Sequence, residues 1–320
     1  MTTKANWHGL ATLVMIGIFY GVGAYASAPQ QKSQAPGYYR IMLGKFEITA
    51  LSDGTSPLPV DQLLTNTTPA QIDAGLQKAF LKEPVMTSTN AILINTGAKL
   101  VLVDAGFGNF FGPAQGKLLS NLKAAGYRPE QVDEIYITHM HGDHVGGLVI
   151  ADKAAFPNAV VRADAREADF WLSKERMDQA PEPLKGFFVN AMRALKPYRD
   201  QGRFKPFRGD TDLMPGIKAQ AVPGHTAGHT DYAVQSDGEQ LLIVGDLIHV
   251  ASMQFAEPSV TIRFDGDSAA AADARVRTLR EASVAREWIA GAHIAFPGIG
   301  HVRVDGNGFE FVPANYESTP

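Results

Sequence analysis

The chain has no cysteine among its 320 residues. A disulfide framework, a thiolate nucleophile and a thiolate-held metal are therefore excluded, and any bound metal must rest on His and carboxylates. No charge dominates either: 29 basic and 33 acidic side chains give a formal net charge of −4. Without a dense run of Lys or Arg to neutralise a row of phosphates, nucleic acid is not an expected partner. No period of roughly 20–50 residues recurs, which excludes a solenoid or propeller. The 45% hydrophobic content is that of an ordinary globular chain and excludes disorder.

Long apolar runs are also missing, with one exception near the start. Lys4 stands in a short polar lead, Leu10 to Gly23 is almost wholly apolar, and Ala24-Tyr25-Ala26 supplies a small-x-small pattern. This predicts a signal peptide over residues 1–26, cleaved after Ala26, and export to the periplasm or the medium. The run is short of the ~20 residues that span a bilayer, and nothing later approaches that length, so no stable membrane insertion is expected after cleavage. Residues 27–37 read as a flexible lead and residues 38–320 as one domain.

Within that domain, short β-like runs come first: Tyr38 to Leu43, Phe46 to Leu51, Ala91 to Asn95 and Leu100 to Val103. Helical spacing follows over Gln115 to Ala125, then a buried-strand run over Glu134 to Thr138. Asp164 to Leu172 and Pro183 to Leu195 read as helices. Strands are expected at Ile217 to Val222, Tyr232 to Gln235 and Leu241 to Val244, then a helix over Ser268 to Arg286 and a last strand at Trp288 to Ala292. Hairpins first and alternating elements later predict a mixed α/β fold whose sheets carry helices on their outer faces.

The chemistry is concentrated in Thr138-His139-Met140-His141-Gly142-Asp143-His144, directly after a strand. A lone buried His is usually a hydrogen-bonded core residue, but three imidazoles and a carboxylate this close predict a metal site. His139 and His141, two apart, can face one ion, while Asp143 and His144 turn to a second. Further donors arrive at strand exits: His225 after Pro223-Gly224, Asp246 after Val244-Gly245 and His293 after Gly291-Ala292. The expected arrangement is His139, His141 and His225 on one divalent ion, with Asp143, His144 and His293 on the other and Asp246 bridging. His301 competes with His293 for the last place or acts as an outer support; His229 and Asp104 are expected to orient ligands from outside. Asp143 and Asp246 are the carboxylates assigned to catalysis.

The signature His139-x-His141-x-Asp143-His144, with His225, Asp246 and His293 in order behind it, resembles the metallo-β-lactamase superfamily of dinuclear hydrolases. Gly37-Tyr38-Tyr39-Arg40, Phe111-Gly112-Pro113, Ala168 to Leu172, Gly186-Phe187-Phe188 and Phe296 to His301 extend the resemblance to the methyl parathion hydrolase branch and its lactonase relatives. That resemblance implies a four-layer αββα sandwich, two divalent ions, usually zinc, and a homodimer. Two ions about 3.5–4 Å apart share a water and lower its pKa to near neutrality, supplying a hydroxide without a side-chain nucleophile.

Phe111, Trp171 and Phe187 match entrance aromatics of that branch, although large aromatics more often sit in a core. Together they suggest a flat apolar slot for aromatic lactones, esters or phosphotriesters, whose phenolate-type leaving groups need little protonation. His249, Ile262 and Phe264 are bulkier than the corresponding groups of the organophosphate specialists, which favours a planar lactone over a crowded phosphotriester. His249 is also a possible alternative ligand. Other readings are a dedicated methyl parathion hydrolase, an acyl-homoserine lactonase, and a non-catalytic metal-binding protein, against which stands the presence of all seven candidate ligands.

Overall fold

A computed structural model describes residues 1–2, 28–110, 112 and 114–318. The expected leader and its cleavage after Ala26 lie outside the described residues, as do Phe111 and Pro113. Residues 28–36 carry no regular secondary structure, and the body of the fold belongs to the unit that begins at Pro36.

Two sheets form the centre. The first orders its strands Tyr38–Leu43, Phe46–Leu58, Val85–Asn95, Leu100–Val103, Glu134–Tyr136 and Val160–Arg162. Its first four strands are antiparallel neighbours and the last two join in parallel. The second runs Thr211–Met214, Ile217–Ala221, Thr230–Ser236, Glu239–Ile243, Trp288–Ala290, Ile299–Asp305 and Gly308–Pro313. Alternation along the strands sends one set of side chains inward. Ile48, Ile92, Ile94, Val101 and Tyr136 from the first sheet thus meet Ile217, Tyr232, Val234, Leu241 and Ile243 from the second.

The outward sets are covered by helices. Leu93, Leu102, Ile135 and Val161 pack on Leu118 and Leu122 of the helix Leu118–Ala124 and on Phe188, Ala191 and Leu195 of the helix Glu182–Asp200. On the other side Leu242 and Val244 meet Ala274, and Ile289 and Val302 meet Leu279 and Ala282, all from the helix Ser268–Ala285. The order of layers is helix, sheet, sheet, helix, the metallo-β-lactamase fold.

Several elements differ from the sequence reading. The strand at Trp288–Ala290 is not the last, because the hairpin Ile299–Asp305/Gly308–Pro313 adds two more to the sheet edge. Phe46–Leu58 extends past Leu51, since polar Ser52-Asp53-Gly54 forms a bulge against Val85–Asn95 rather than a turn. The helix Pro69–Lys78 was not anticipated, although Thr68 and Gln71 form a capping box at its start. No helix among the described residues is long and apolar enough to cross a membrane.

The strands Leu100–Val103, Glu134–Tyr136, Ile217–Ala221, Glu239–Ile243 and Trp288–Ala290 are followed by Asp104, His139, His225, Asp246 and His293. Backbone bonds tie the sheets together at this edge, from Thr230 N–H to the Thr138 carbonyl (3.0 Å) and from Asn90 N–H to the Ala292 carbonyl (2.9 Å).

Candidate metal centre

Past the first sheet the chain bends at Thr138, and His141 has extended backbone (φ −69°, ψ 156°). A single helical turn, Gly142–Val145, then folds the chain back, with the His144 N–H donating to the His141 carbonyl (3.0 Å). Two donor groups result. His139, His141, His225 and Asp246 each offer one atom, and these lie within 4.8 Å of one another; Asp143, His144, Asp246 and His293 do the same. Asp246 belongs to both. Its Oδ2 stands 3.5 Å from His139 Nε2 and 3.4 Å from His225 Nε2, while its Oδ1 stands 3.0 Å from His144 Nε2 and 3.3 Å from His293 Nε2.

Hydrogen bonds outside the groups set the tautomers. His144 Nδ1 donates to Asp104 Oδ2 (2.8 Å), His225 Nδ1 to Asp265 Oδ1 (2.9 Å) and His293 Nδ1 to the Ser88 carbonyl (2.9 Å). His139 Nδ1 lies 3.1 Å from Thr138 Oγ1, whose own proton goes to Asp104. As a neutral metal ligand, each of these rings would offer its inward Nε2 lone pair to a cation. His225 Nε2 is 3.2 Å from His139 Nε2 and 3.1 Å from His141 Nδ1, a convergence of acceptors that a cation relieves. His144 Nε2 and Asp246 Oδ1 lie 3.0 Å apart, yet among the described residues neither has a hydrogen-bond partner of good geometry.

Electrostatics agree. Burial, reinforced by neighbouring imidazoles, holds His139 and His141 well below the usual imidazole range, so they stay neutral donors. Burial also opposes charge on His144 and His293, but the facing carboxylates overcome it, raising His144 well above its usual value and His293 to about 10. The half containing Asp143 and Asp246 therefore favours positive charge. These residues fit a pair of divalent cations.

The surrounding residues divide between expected and unexpected supports. Asp104 accepts from Thr138 N–H, Thr138 Oγ1 and His144 Nδ1, each at 2.8 Å, and so braces the metal loop. His229 Nε2 accepts from the Asp246 backbone N–H (3.1 Å), holding Asp246 rather than His225. His301 requires correction as an outer support: it sits on Ile299–Asp305 with its ring against Trp288 and its Nδ1 toward the Glu287 carbonyl. Its strand pairs it with the start of Trp288–Ala290, whereas His293 follows the end. His301→Ala should leave metal content and kcat/KM unchanged within about twofold, as for a substitution outside any buried network, measured by elemental analysis and turnover.

Glu167 was not singled out by sequence, having no metal-ligand spacing. Fully buried, it accepts from Met140 N–H (2.9 Å) and Gly228 N–H (2.7 Å), joining the loop of His139 and His141 to that of His225. Asp265 and the Ser88 carbonyl were missed likewise, the second because a backbone acceptor leaves no mark in a sequence.

A cavity of about 170 Å³ opens on the two groups, with Phe107, Phe187, Phe264, His249, Leu58, Ser56 and Thr87 around His141, Asp143, Asp246 and His293. Phe187 stands edge-on to His141 (5.1 Å between centroids), and His249 stacks on His293 (5.4 Å) with its Nε2 3.0 Å from Asp246 Oδ2. Two expected pocket residues are elsewhere. Trp171 is buried behind His141, edge-on at 5.2 Å and packed in the core. Ile262 is fully buried with Val60, Leu64 and Val250, in the short strand Thr261–Ile262 that pairs with Leu64–Thr65. Phe107 was missed because no motif marks it.

The model of the Metallo-beta-lactamase superfamily matches residues 85–293, and the chain belongs to that superfamily. Among solved structures it is similar to AbOPH, a hydrolase of the β-lactamase superfamily, with 36% identity, 89% of this chain and 100% of that one covered, and a TM-score of 0.85. It is also similar to AidC, a dizinc quorum-quenching lactonase in complex with the product N-hexanoyl-L-homoserine: 28% identity, coverage of 88% and 99%, TM-score 0.82. A probable metallo-hydrolase of Mycobacterium tuberculosis is 26% identical over 201 residues, or 56% of this chain; the match spans 61% of that relative's length. Its two His/Asp groups are suited to divalent metals.

Proposed function

We propose that the protein hydrolyses aryl lactones and aryl esters, with weaker activity on aryl phosphotriesters, as a member of the methyl parathion hydrolase and lactonase branch. His139, His141 and His225 would hold one ion, Asp143, His144 and His293 the other, and Asp246 both, with zinc the expected metal. When bound, such a pair polarises the bond under attack and lowers the pKa of water.

The observation that carries the substrate class is the cavity. Phe107, Phe187 and Phe264 line it, an aromatic set suited to a flat substrate, and no Lys or Arg appears among the described lining residues. A neutral aromatic ring suits those walls better than a carboxylate or a phosphate monoester. His249 and Phe264 take up space beside Asp246, which favours a planar lactone over three substituents on phosphorus. Ser56 and Thr87 are the hydroxyl-bearing residues among those lining the same cavity.

Acyl-homoserine lactones form the second reading, favoured by the similarity to AidC. The test is kcat/KM for dihydrocoumarin, an acyl-homoserine lactone, a β-lactam and methyl parathion, before and after chelation and zinc return. Dihydrocoumarin should lead, and chelation should abolish its turnover. A wide lead for the homoserine lactone would select the second reading.

A further inference from the structure

Asp53 belongs to no metal motif, yet it is built into the fold with unusual completeness. Phe46–Leu58 pairs with Val85–Asn95 so that Ser52 faces Asn90 and Gly54 faces Thr89, leaving Asp53 as the extra residue of a bulge. Bulges turn a side chain out of the ladder. The fully buried Asp53 carboxylate accepts from Phe107 N–H (2.8 Å) and Gly116 N–H (3.2 Å) at Oδ2 and from Leu118 N–H (2.9 Å) at Oδ1. Its backbone carbonyl accepts from Lys117 N–H (2.9 Å).

A single residue thus ties Phe107 to Gly116, Lys117 and Leu118. The approach is close at two glycines. Gly106 has φ +73°, and a Cβ there would lie 2.4 Å from Asp53 Cγ; Gly54 has φ +128°, and its Cβ would lie 2.3 Å from the Ala114 carbonyl oxygen. Gly106 also meets the turn after His144, with Gly147 N–H donating to the Gly106 carbonyl (3.0 Å). Phe107, whose N–H Asp53 holds, is one of the residues lining the substrate cavity.

We propose that Asp53 is a positioning residue for substrate selectivity, fixing Phe107 as the wall against which a flat aryl substrate lies. The proposal deepens the aryl lactone reading and rests on it. Anchoring by itself would be structural; what distinguishes selectivity is that loosening Phe107 weakens aryl binding while the metal groups, held by other residues, continue to work.

The test compares the full-length wild type with Asp53→Asn, whose amide turns an N–H toward one of the three backbone donors. Local opening should lower amide-exchange protection at Phe107, Gly116 and Leu118 by about 100-fold, with two metals per chain retained. KM for dihydrocoumarin should rise about tenfold with kcat within about threefold, and KM for the small aliphatic δ-valerolactone should stay within about twofold. Phe107→Ala should raise the dihydrocoumarin KM similarly, and combining the two should add little. Gly116→Ala loosens the same tie from its other end and should reproduce the pattern should Asp53→Asn not fold. Unchanged KM, equal losses on both lactones, or lost metal in a folded variant would overturn the proposal. Calorimetric binding of 2-naphthol needs no turnover and should weaken about tenfold in Asp53→Asn. A wild type that hydrolyses neither lactone would thus refute the functional reading, while unchanged 2-naphthol affinity would refute the role of Asp53.

Discussion

Replacing Asp246 with Asn is expected to lower kcat/KM by on the order of 10³, or about 4 kcal/mol of transition-state stabilisation, and to leave fewer than two metals per chain. The substitution hardly changes shape, and the backbone N–H of residue 246 still reaches His229 Nε2. What changes is the division of the carboxylate, whose Oδ2 faces His139 and His225 and whose Oδ1 faces His144 and His293. An amide supplies one oxygen and one N–H₂ group, so one donor group loses its contribution and receives hydrogens directed at its cation. Removing an outer support of a metal ligand typically costs about 10–100-fold. An atom pair shared by both ions should cost more than that.

The loss would not be a matter of protonation. Burial tends to raise the Asp246 pKa, but His144, His293, His249 and His139 overcome it and hold the carboxylate well below its usual range. It is therefore an anion at neutral pH before any metal arrives. Elemental analysis after gel filtration, with kcat/KM for dihydrocoumarin, checks the result. Asp246→Asn with two tightly held metals and activity within about tenfold of wild type would show that the carboxylate does not bridge.

The donor residues were legible in the sequence for a physical reason. They follow short apolar runs, and strand exits at one edge of a sandwich must meet. His139, His141, Asp143 and His144 also share one loop, so their proximity needs no tertiary information. Asp265 and Glu167 act on residues 40 and 27 positions or more away, and only packing brings them into place. Trp171 and Ile262 illustrate the converse: lying near a motif in sequence does not decide which side of a ligand a large side chain takes, and both fill core behind the site. The C-terminal hairpin did carry a signal, alternating His301-Val302-Arg303-Val304 before Asp305-Gly306-Asn307-Gly308, although its Gly and Pro neighbours obscure it. Asp53 stood in a triplet that reads as a turn, and only the register across the strands shows a bulge.

Asp104→Asn should separate the two donor groups, weakening metal affinity at Asp143, His144, His293 and Asp246 by about 100-fold while leaving the three-histidine group within about tenfold. Asp104 has a left-handed backbone, φ +61°, which Asn tolerates as readily as Asp. The Thr138 N–H donates to Asp104 Oδ1 and cannot reverse its direction, so the Asn oxygen must stay there. The amide nitrogen then occupies the place of Oδ2, where it meets His144 Nδ1. Two donors cannot face each other, so His144 must move its proton from Nδ1 to Nε2, the nitrogen that faces Asp246 and Asp143. Changing one buried oxygen to nitrogen thereby removes a lone pair on the far side of the ring. His139 is spared because Thr138 Oγ1 can accept from the amide and still accept from His139 Nδ1. Stepwise metal titration with separate binding constants checks this; equal weakening of both groups, or of neither, would mean that Asp104 braces the loop without setting the tautomer of His144.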